Sequence, residues 1–271
     1  MPENLLKGKL GIITGALDEN SIAWKTALKA KEQGARFVLT NAPIAMRMGA
    51  INELAKECDT IVIPADATSL EDIEKLYTEA TAYLGGNLDF LLHSIGMSPN
   101  IRKGRSYGDL NYDWAMKSYD VSAISFHKMM QVAEKMDIMN EWGSIIGLSY
   151  IAAQQVYPFY TDMADAKALL ESIARGYGYR FGKLKKVRVN TISQSPTKTT
   201  AGTGIGGFDS FYNFAESLSP LGNASAEECA EYIVTMFSDY TRMVTMQNLF
   251  HDGGYSFTGI SEDIMEKFKD M

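Results

Sequence analysis

The sequence predicts a doubly wound α/β protein, a parallel seven-stranded sheet with helices on both faces, built as one domain over residues 1–271. Three observations carry this. Short apolar runs alternate with segments of helical period from end to end, which is the signature of strand–helix–strand units with right-handed crossovers. No internal repeat, low-complexity tract or linker breaks the chain. A hydrophobic content of 46% and a charged content of 22% are ordinary for a soluble globular protein.

The elements follow in order. Lys9 to Thr14 reads as the first strand and Ser21 to Gln33 as a helix, opened by Asn20 or Ser21 and closed by Gly34. Arg36 to Thr40 is the second strand, Met46 to Cys58 a helix, and Thr60 to Pro64 the third strand. Ser69-Leu70-Glu71-Asp72 has the form of a capping box and opens a helix to about Tyr83. Leu88 to Ser94 is the fourth strand, and a long helix lies within Asp113 to Met136. Ser144 to Leu148 is the fifth strand, Tyr160 to Gly182 a helical region, and Val187 to Ser193 the sixth strand. Residues 194–222, rich in Thr, Gly and Ser, are expected to form a long loop, either a functional lid or substrate loop or a poorly ordered stretch. Ser225 to Asp239 is a helix with a second capping box at Ser225 and Glu228, and Gln247 to His251 is the seventh strand.

Composition excludes several classes of function. A formal net charge of −7 argues against nucleic acid or an anionic membrane as the main partner. No apolar run reaches the roughly 18 residues that a membrane span requires. The first residues, Met1 to Gly8, lead into a buried strand and do not resemble a signal peptide. Cys58 and Cys229 are far apart, as are His93, His127 and His251, so no metal site is expected and a reducing cytoplasm is.

The chemistry-bearing residues gather at the ends of strands. Gly11-Ile-Ile-Thr14-Gly15, followed by Ser21-Ile22-Ala23, falls where a Rossmann-type sheet presents its first strand-to-helix turn. There backbone and a helix N-terminus can receive a pyrophosphate, although the usual G-x-G-x-x-G is absent. Asp66-Ala67, just past the third strand, is placed either for an adenine amino group or as a turn aspartate. Ser94-Ile95-Gly96 closes the fourth strand with a glycine where backbone passes near a nucleotide, or with a plain turn. Strand two ends at Thr40-Asn41-Ala42-Pro43 with no acid for a ribose hydroxyl and no arginine pair for a 2′-phosphate; Arg47 is the nearest cation.

Tyr160 and Lys167 stand seven residues apart, about two helical turns, so both side chains are expected on one helix face. An ammonium beside a phenol is expected to lower the phenol's pKa and tune it as a hydrogen-bond donor to a developing oxyanion.

With Thr14-Gly15-(five residues)-Ser21-Ile22-Ala23, His93-Ser94-Ile95-Gly96, Ser149-Tyr150, Tyr160-(six residues)-Lys167, Val187-Arg188-Val189-Asn190 and Asp252-Gly253-Gly254 assembled, the chain resembles the short-chain dehydrogenase/reductase superfamily. More closely it resembles the bacterial NADH-dependent enoyl-[acyl-carrier-protein] reductases of type II fatty-acid synthesis. The likeness runs from Gly11 to about Phe257. It implies hydride transfer from NADH, in preference to NADPH, to the β-carbon of a trans-2-enoyl thioester carried on acyl-carrier protein. It further implies that Tyr160 donates a hydrogen bond to the enolate oxygen, that Lys167 holds the nicotinamide ribose, and that Tyr150 is a second tyrosine at the substrate. By the same resemblance Ser98 falls at a substrate contact and Thr197, Thr199 and Ala201 on the nicotinamide side. A cytoplasmic homotetramer, usually D₂ in symmetry, is also implied, with Ile233, Met236, Phe237 and Leu249 as apolar candidates on the late helix and last strand. Ser195 and Ala153 depart from the glycines usual in relatives.

Carbonyl reducers of the superfamily use Tyr-x-x-x-Lys, and the residue four before Lys167 is Met163. Tyr179 and Lys183 satisfy that spacing but abut a helix stop at Gly182. A carbonyl reductase and a catalytically silent NAD-binding regulator are the competing readings.

Overall fold

The computed structural model describes residues 4–47, 50–204 and 206–269. Its strands are β1 (Leu10–Thr14), β2 (Arg36–Thr40), β3 (Leu88–His93), β4 (Met139–Ser149), β5 (Arg188–Gln194) and β6 (Asn248–His251). They form one parallel sheet in the order β2-β1-β3-β4-β5-β6. Helix α1 (Ile22–Glu32) follows β1, and α2 (Ile51–Glu57) and α3 (Leu70–Leu84) join β2 to β3. Between β3 and β4 lie α4 (Pro99–Arg102), α5 (Tyr112–Tyr119) and α6 (Ser125–Lys135), the last two linked by a π-helical turn at Asp120–Ile124. Helix α7 (Thr161–Lys185) joins β4 to β5. Helices α8 (Thr200–Thr203), α9 (Phe208–Leu218) and α10 (Ala226–Phe237) precede β6, and α11 (Glu262–Lys267) follows it.

Adjacent residues along each strand point to opposite faces, and that alternation builds the two layers. Ile12, Val38, Leu91 and Ile145 pack with residues of α3, α6 and α7; Ile13, Leu39, Leu92, Ile146 and Ile192 pack with α1, α2 and α10. All nine are fully buried, and each is worth about 1.5–3 kcal/mol relative to an exposed position. The chain leaves β1 for β2 on one side and returns to β3 on the other. This strand-order reversal opens a crevice at the carboxyl ends of β1 and β3.

The expected third strand, Thr60 to Pro64, is not part of the sheet: among the described residues the sheet has six strands, not seven. Residues 60–64 meet β2 through a single bridge, Val62 to Leu39. Pro64 ends the run because it has no N–H to continue a ladder. The helix expected over Met46 to Cys58 is a short 3₁₀ turn, Ala45–Arg47, and then α2; residues 48 and 49 lie outside the described residues. The expected loop at 194–222 contains an 11-residue helix, α9, whose Phe208, Ala215 and Leu218 are buried. Both capping signals hold. Ser69 accepts the Asp72 N–H at 3.2 Å, though Asp72 reaches the Asp66 N–H rather than back to Ser69. Ser225 and Glu228 make both bonds of the box.

Candidate active site

The cofactor end is built from backbone. Gly15 has φ +85°, and a Cβ there would stand 1.9 Å from the Ser94 carbonyl oxygen. The Ser94 N–H donates to Thr14 Oγ1 at 3.1 Å, so the carboxyl ends of β1 and β3 are locked together. Ser21 is the N-cap residue of α1 but does not cap it with its side chain. Its hydroxyl instead donates to the Asp18 carbonyl at 2.8 Å. The first turn of α1 contains no acidic residue. Uncapped N–H groups at the end of an 11-residue helix suit an anionic phosphate. Ile22 packs on the core beneath this turn. Gly96 is exposed, and a Cβ there would lie 3.4 Å from Met163 Cε and 3.8 Å from Lys167 Nζ. Backbone at Ser94, Ile95 and Gly96 thus forms one wall beside the Lys167 ammonium.

The other expected cofactor residues make local hydrogen bonds. Asp66 Oδ1 accepts from the Thr68 N–H and hydroxyl at 2.8 and 2.7 Å, a turn in which Ala67 packs on the core. Thr197 Oγ1 donates to the Ser195 carbonyl at 3.0 Å. Thr199 Oγ1 accepts the Gly202 N–H at 3.0 Å as the cap of α8, which carries Ala201. Ser195 uses its hydroxyl to accept the Ala224 N–H at 2.8 Å. Asn41 fixes the end of β2 by donating to the Ala16 carbonyl at 3.0 Å.

The expected tuning of Tyr160 is not found. Tyr160 is the N-cap residue of α7, and Thr161 directly after it has φ +35°, so the regular helix begins only beyond Tyr160. Lys167 Nζ donates to the Leu148 carbonyl at 2.8 Å. Burial pushes the Tyr160 phenol above its ordinary value, which keeps it a protonated donor. Burial also lowers the Lys167 ammonium to about 8, against the pull of Glu171 one turn on. His93, buried beside the same cation, is lowered to about 3 and stays neutral.

Tyr150 is 8% exposed, and its buried hydroxyl has no hydrogen-bond partner among the described residues. Its ring packs 5.2 Å from Tyr160, 5.4 Å from Tyr157 and edge-on to Phe211 at 5.9 Å. Phe211 projects from α9, which therefore roofs the tyrosines. Tyr157 and Tyr255 close the cluster through a hydroxyl pair at 2.7 Å. Ser98 is buried, and its hydroxyl is committed to Asp162 at 2.7 Å and to the Ile101 N–H at 3.1 Å.

Sequence reasoning missed Tyr157, Phe211, Tyr255 and the two buried acids Asp162 and Glu171. Glu171 accepts from Ser149 Oγ at 2.7 Å and so fixes the residue before Tyr150. Its position four after Lys167 was the available signal.

The model of the enoyl-(acyl carrier protein) reductase family matches residues 15–256. The chain belongs to that family. This enoyl reductase is 36% identical over 262 residues to enoyl-[acyl-carrier-protein] reductase [NADH] FabI of Rickettsia bellii, covering 96% of this chain and 98% of the relative. Among solved structures it is similar to the FabI–NADH complex of Alistipes finegoldii, with a TM-score of 0.96 and 61% identity over 99% of this chain and 95% of that one. The Bacillus cereus enoyl-acyl carrier protein reductase, solved with NADP⁺ and an indole naphthyridinone, gives a TM-score of 0.88 at 29% identity, covering 95% of this chain and 100% of that one. In this enoyl reductase Met163, four before Lys167, packs toward Gly96; Tyr179 is 64% exposed, and the helix does not stop at Gly182 as expected but runs on to Lys185.

Proposed function

We propose that the protein reduces the C2–C3 double bond of trans-2-enoyl thioesters on acyl-carrier protein, with NADH, in fatty-acid elongation. The observation that carries this is the buried Tyr150 hydroxyl, without a hydrogen-bond partner among the described residues, on a ring packed against Tyr160, which itself packs on Met163 near Gly96, the glycine that faces Lys167 Nζ. The cradle fits the dinucleotide: the uncapped start of α1 would take the pyrophosphate, and Ser94 to Gly96 with Lys167 would take the nicotinamide ribose. Bound there, NADH supplies a hydride to C3 of the enoyl chain. The electron pair then rests on the thioester oxygen as an enolate, and a proton is finally added at C2.

Tyr160 donates to that oxygen, and the raised pKa of its phenol suits a donor that stabilises charge without giving up its proton. Tyr150 is the second donor. Residues 194–222, with α9 above the tyrosines, form the substrate segment of one catalytic domain. Asn41 and the absence of an acid or arginine pair after β2 favour NADH over NADPH.

Mixing the protein with NADH and crotonyl thioester should oxidise NADH. A β-ketoacyl thioester should not, and NADPH should give the lower kcat/KM. Oxidation with the β-ketoacyl thioester alone would establish a carbonyl reductase, and none with either substrate a silent regulator. Tyr160→Phe should cost about 10²–10³ in kcat, if its hydroxyl is worth an oxyanion-hole donor, while NADH affinity stays near normal.

We also propose a cytoplasmic homotetramer, but not through the residues first expected. Ile233, Met236 and Phe237 are buried in the protomer core, and Leu249 packs against it. Tyr240, Met243 and Phe257 are exposed instead. Light scattering should give four times the monomer mass. Among the described residues no helix is long and apolar enough to cross a membrane.

A further inference from the structure

Asp162, two places after Tyr160, has no part in the chemistry above. It is fully buried, and its carboxylate accepts hydrogen bonds from four side chains. Oδ1 accepts from Ser98 Oγ at 2.7 Å and Thr161 Oγ1 at 3.0 Å. Oδ2 accepts from Asn100 Nδ2 at 3.0 Å and Ser118 Oγ at 2.7 Å. All four donors are neutral. A buried acid is tolerable only when its network is satisfied in this way. As a source of stability it is weak, because well-packed apolar side chains do as well in such places. What the network does is fix position.

The four donors come from segments that the reaction needs aligned. Ser98 starts α4 at the end of the Ser94–Gly96 wall. Asn100 clasps Asn111 through two bonds, at 3.1 and 3.0 Å. Ser118 lies just before the π-helical turn, where Ser122 accepts the Met97 N–H at 3.0 Å and donates to the Met97 carbonyl at 3.2 Å. Thr161 has φ +35°, a strained value for a β-branched residue. It directly follows Tyr160, and its hydroxyl is held by Asp162. The backbone turn that aims Tyr160 is therefore tied to the cofactor wall through one carboxylate.

We propose that Asp162 is a positioning residue, setting the place of the Tyr160 hydroxyl against the Ser94–Gly96 wall. The inference rests on the reading of Tyr160 as the donor to the enolate. Asp162→Asn keeps the volume but puts an NH₂ group where an oxygen accepted two bonds. With crotonyl thioester, kcat per NADH-binding site should fall by about 10²-fold, the scale of a 1 Å misplacement. NADH affinity, read by fluorescence titration, should stay near wild type. In a Tyr160→Phe background the same change should cost little more, because both act on one hydroxyl.

A purely structural role would lower Tm and the number of NADH-binding sites while leaving the rate per site intact, and that result overturns the inference. If Tyr160→Phe loses activity and Asp162→Asn does not, the inference alone fails. If Tyr160→Phe keeps full kcat, the catalytic reading fails and takes this inference with it. Should Asp162→Asn not fold, Ser118→Ala removes one donor and keeps the carboxylate. A lower rate per site at unchanged NADH affinity then supports the inference, and a wild-type rate overturns it.

Discussion

The two ends of the proposed active site are made of different materials. The cofactor end is backbone: Gly15 against Ser94, the start of α1, and the turn from Ser94 to Gly96, all held by strands inside the sheet. The substrate end is side chains: Tyr150, Tyr157 and Tyr255 beneath Phe211 of a helix whose own flanks are rich in glycine. A backbone site admits almost no substitution, whereas a side-chain site can be loosened by degrees. Mutations at the two ends should therefore fail in different ways.

The largest effect is expected at Gly15→Ala. The new methyl would meet Ser94 O at 1.9 Å, at a φ of +85°, and strained backbone alone costs about 1–3 kcal/mol. Fluorescence titration should show NADH binding lost. Wild-type affinity would mean that β1 and β3 are not locked as described.

Lys167 joins the two ends and comes next. Lys167→Ala should weaken NADH binding by about 1.5–3 kcal/mol, the worth of a hydrogen bond to a charged group, and lower kcat with it. Burial lowers the ammonium to about 8, so kcat/KM for NADH should fall as pH rises through about 8. The sign for stability is opposite. Between about 8 and the ordinary value of 10.5 the unfolded chain keeps a proton that the native chain has released, so stability rises with pH across that window. A flat pH profile would remove the ammonium from cofactor binding.

At the substrate end Phe211→Ala removes edge-on contacts to Tyr150 and Tyr157, each worth about 0.5–1.5 kcal/mol. KM for the enoyl thioester should rise while NADH affinity holds. Protease should cut residues 194–222 faster, and NADH with an acyl ligand should slow that cleavage. Equal cleavage with and without ligands would remove α9 from the role of roof. The smallest effect is remote from both ends: Ser225→Ala breaks the α10 capping box at about 1 kcal/mol. That should lower Tm by about 2–4 °C with kcat unchanged.

This difference in material also decides what the sequence made legible. Strand-end glycines are local signals, so the turns at Gly15 and Gly96 could be read directly, whereas the expected lowering of the Tyr160 phenol by Lys167 overlooked burial, which spacing does not reveal. Residues 60–64 have the composition of a strand, but how far a strand pairs is settled by its neighbours, and only Val62 finds one. Helix α9 went unread because the Thr, Gly and Ser around it outweighed the spacing of Phe208, Phe211, Ala215 and Leu218. Asp162 gives no warning at all, since an acid in the first turn of a helix ordinarily serves the helix dipole. Its four partners lie between 1 and 64 residues away.

The short stretch at 60–64 has one further consequence. An open strand at the margin of a parallel sheet is a template on which another chain can add itself, the first step toward aggregation. Here the outer side of β2 is already spoken for. The Leu39 N–H donates to the Ile61 carbonyl at 3.0 Å, and the Leu39 carbonyl accepts the Ile63 N–H at 2.9 Å. The Thr60 hydroxyl donates to the Phe37 carbonyl, and the Ala65 N–H donates to the Asn41 carbonyl at 3.1 Å. Too short to extend the sheet, this segment is long enough to seal its margin, and Pro64 ensures that the seal offers no regular strand of its own to a newcomer.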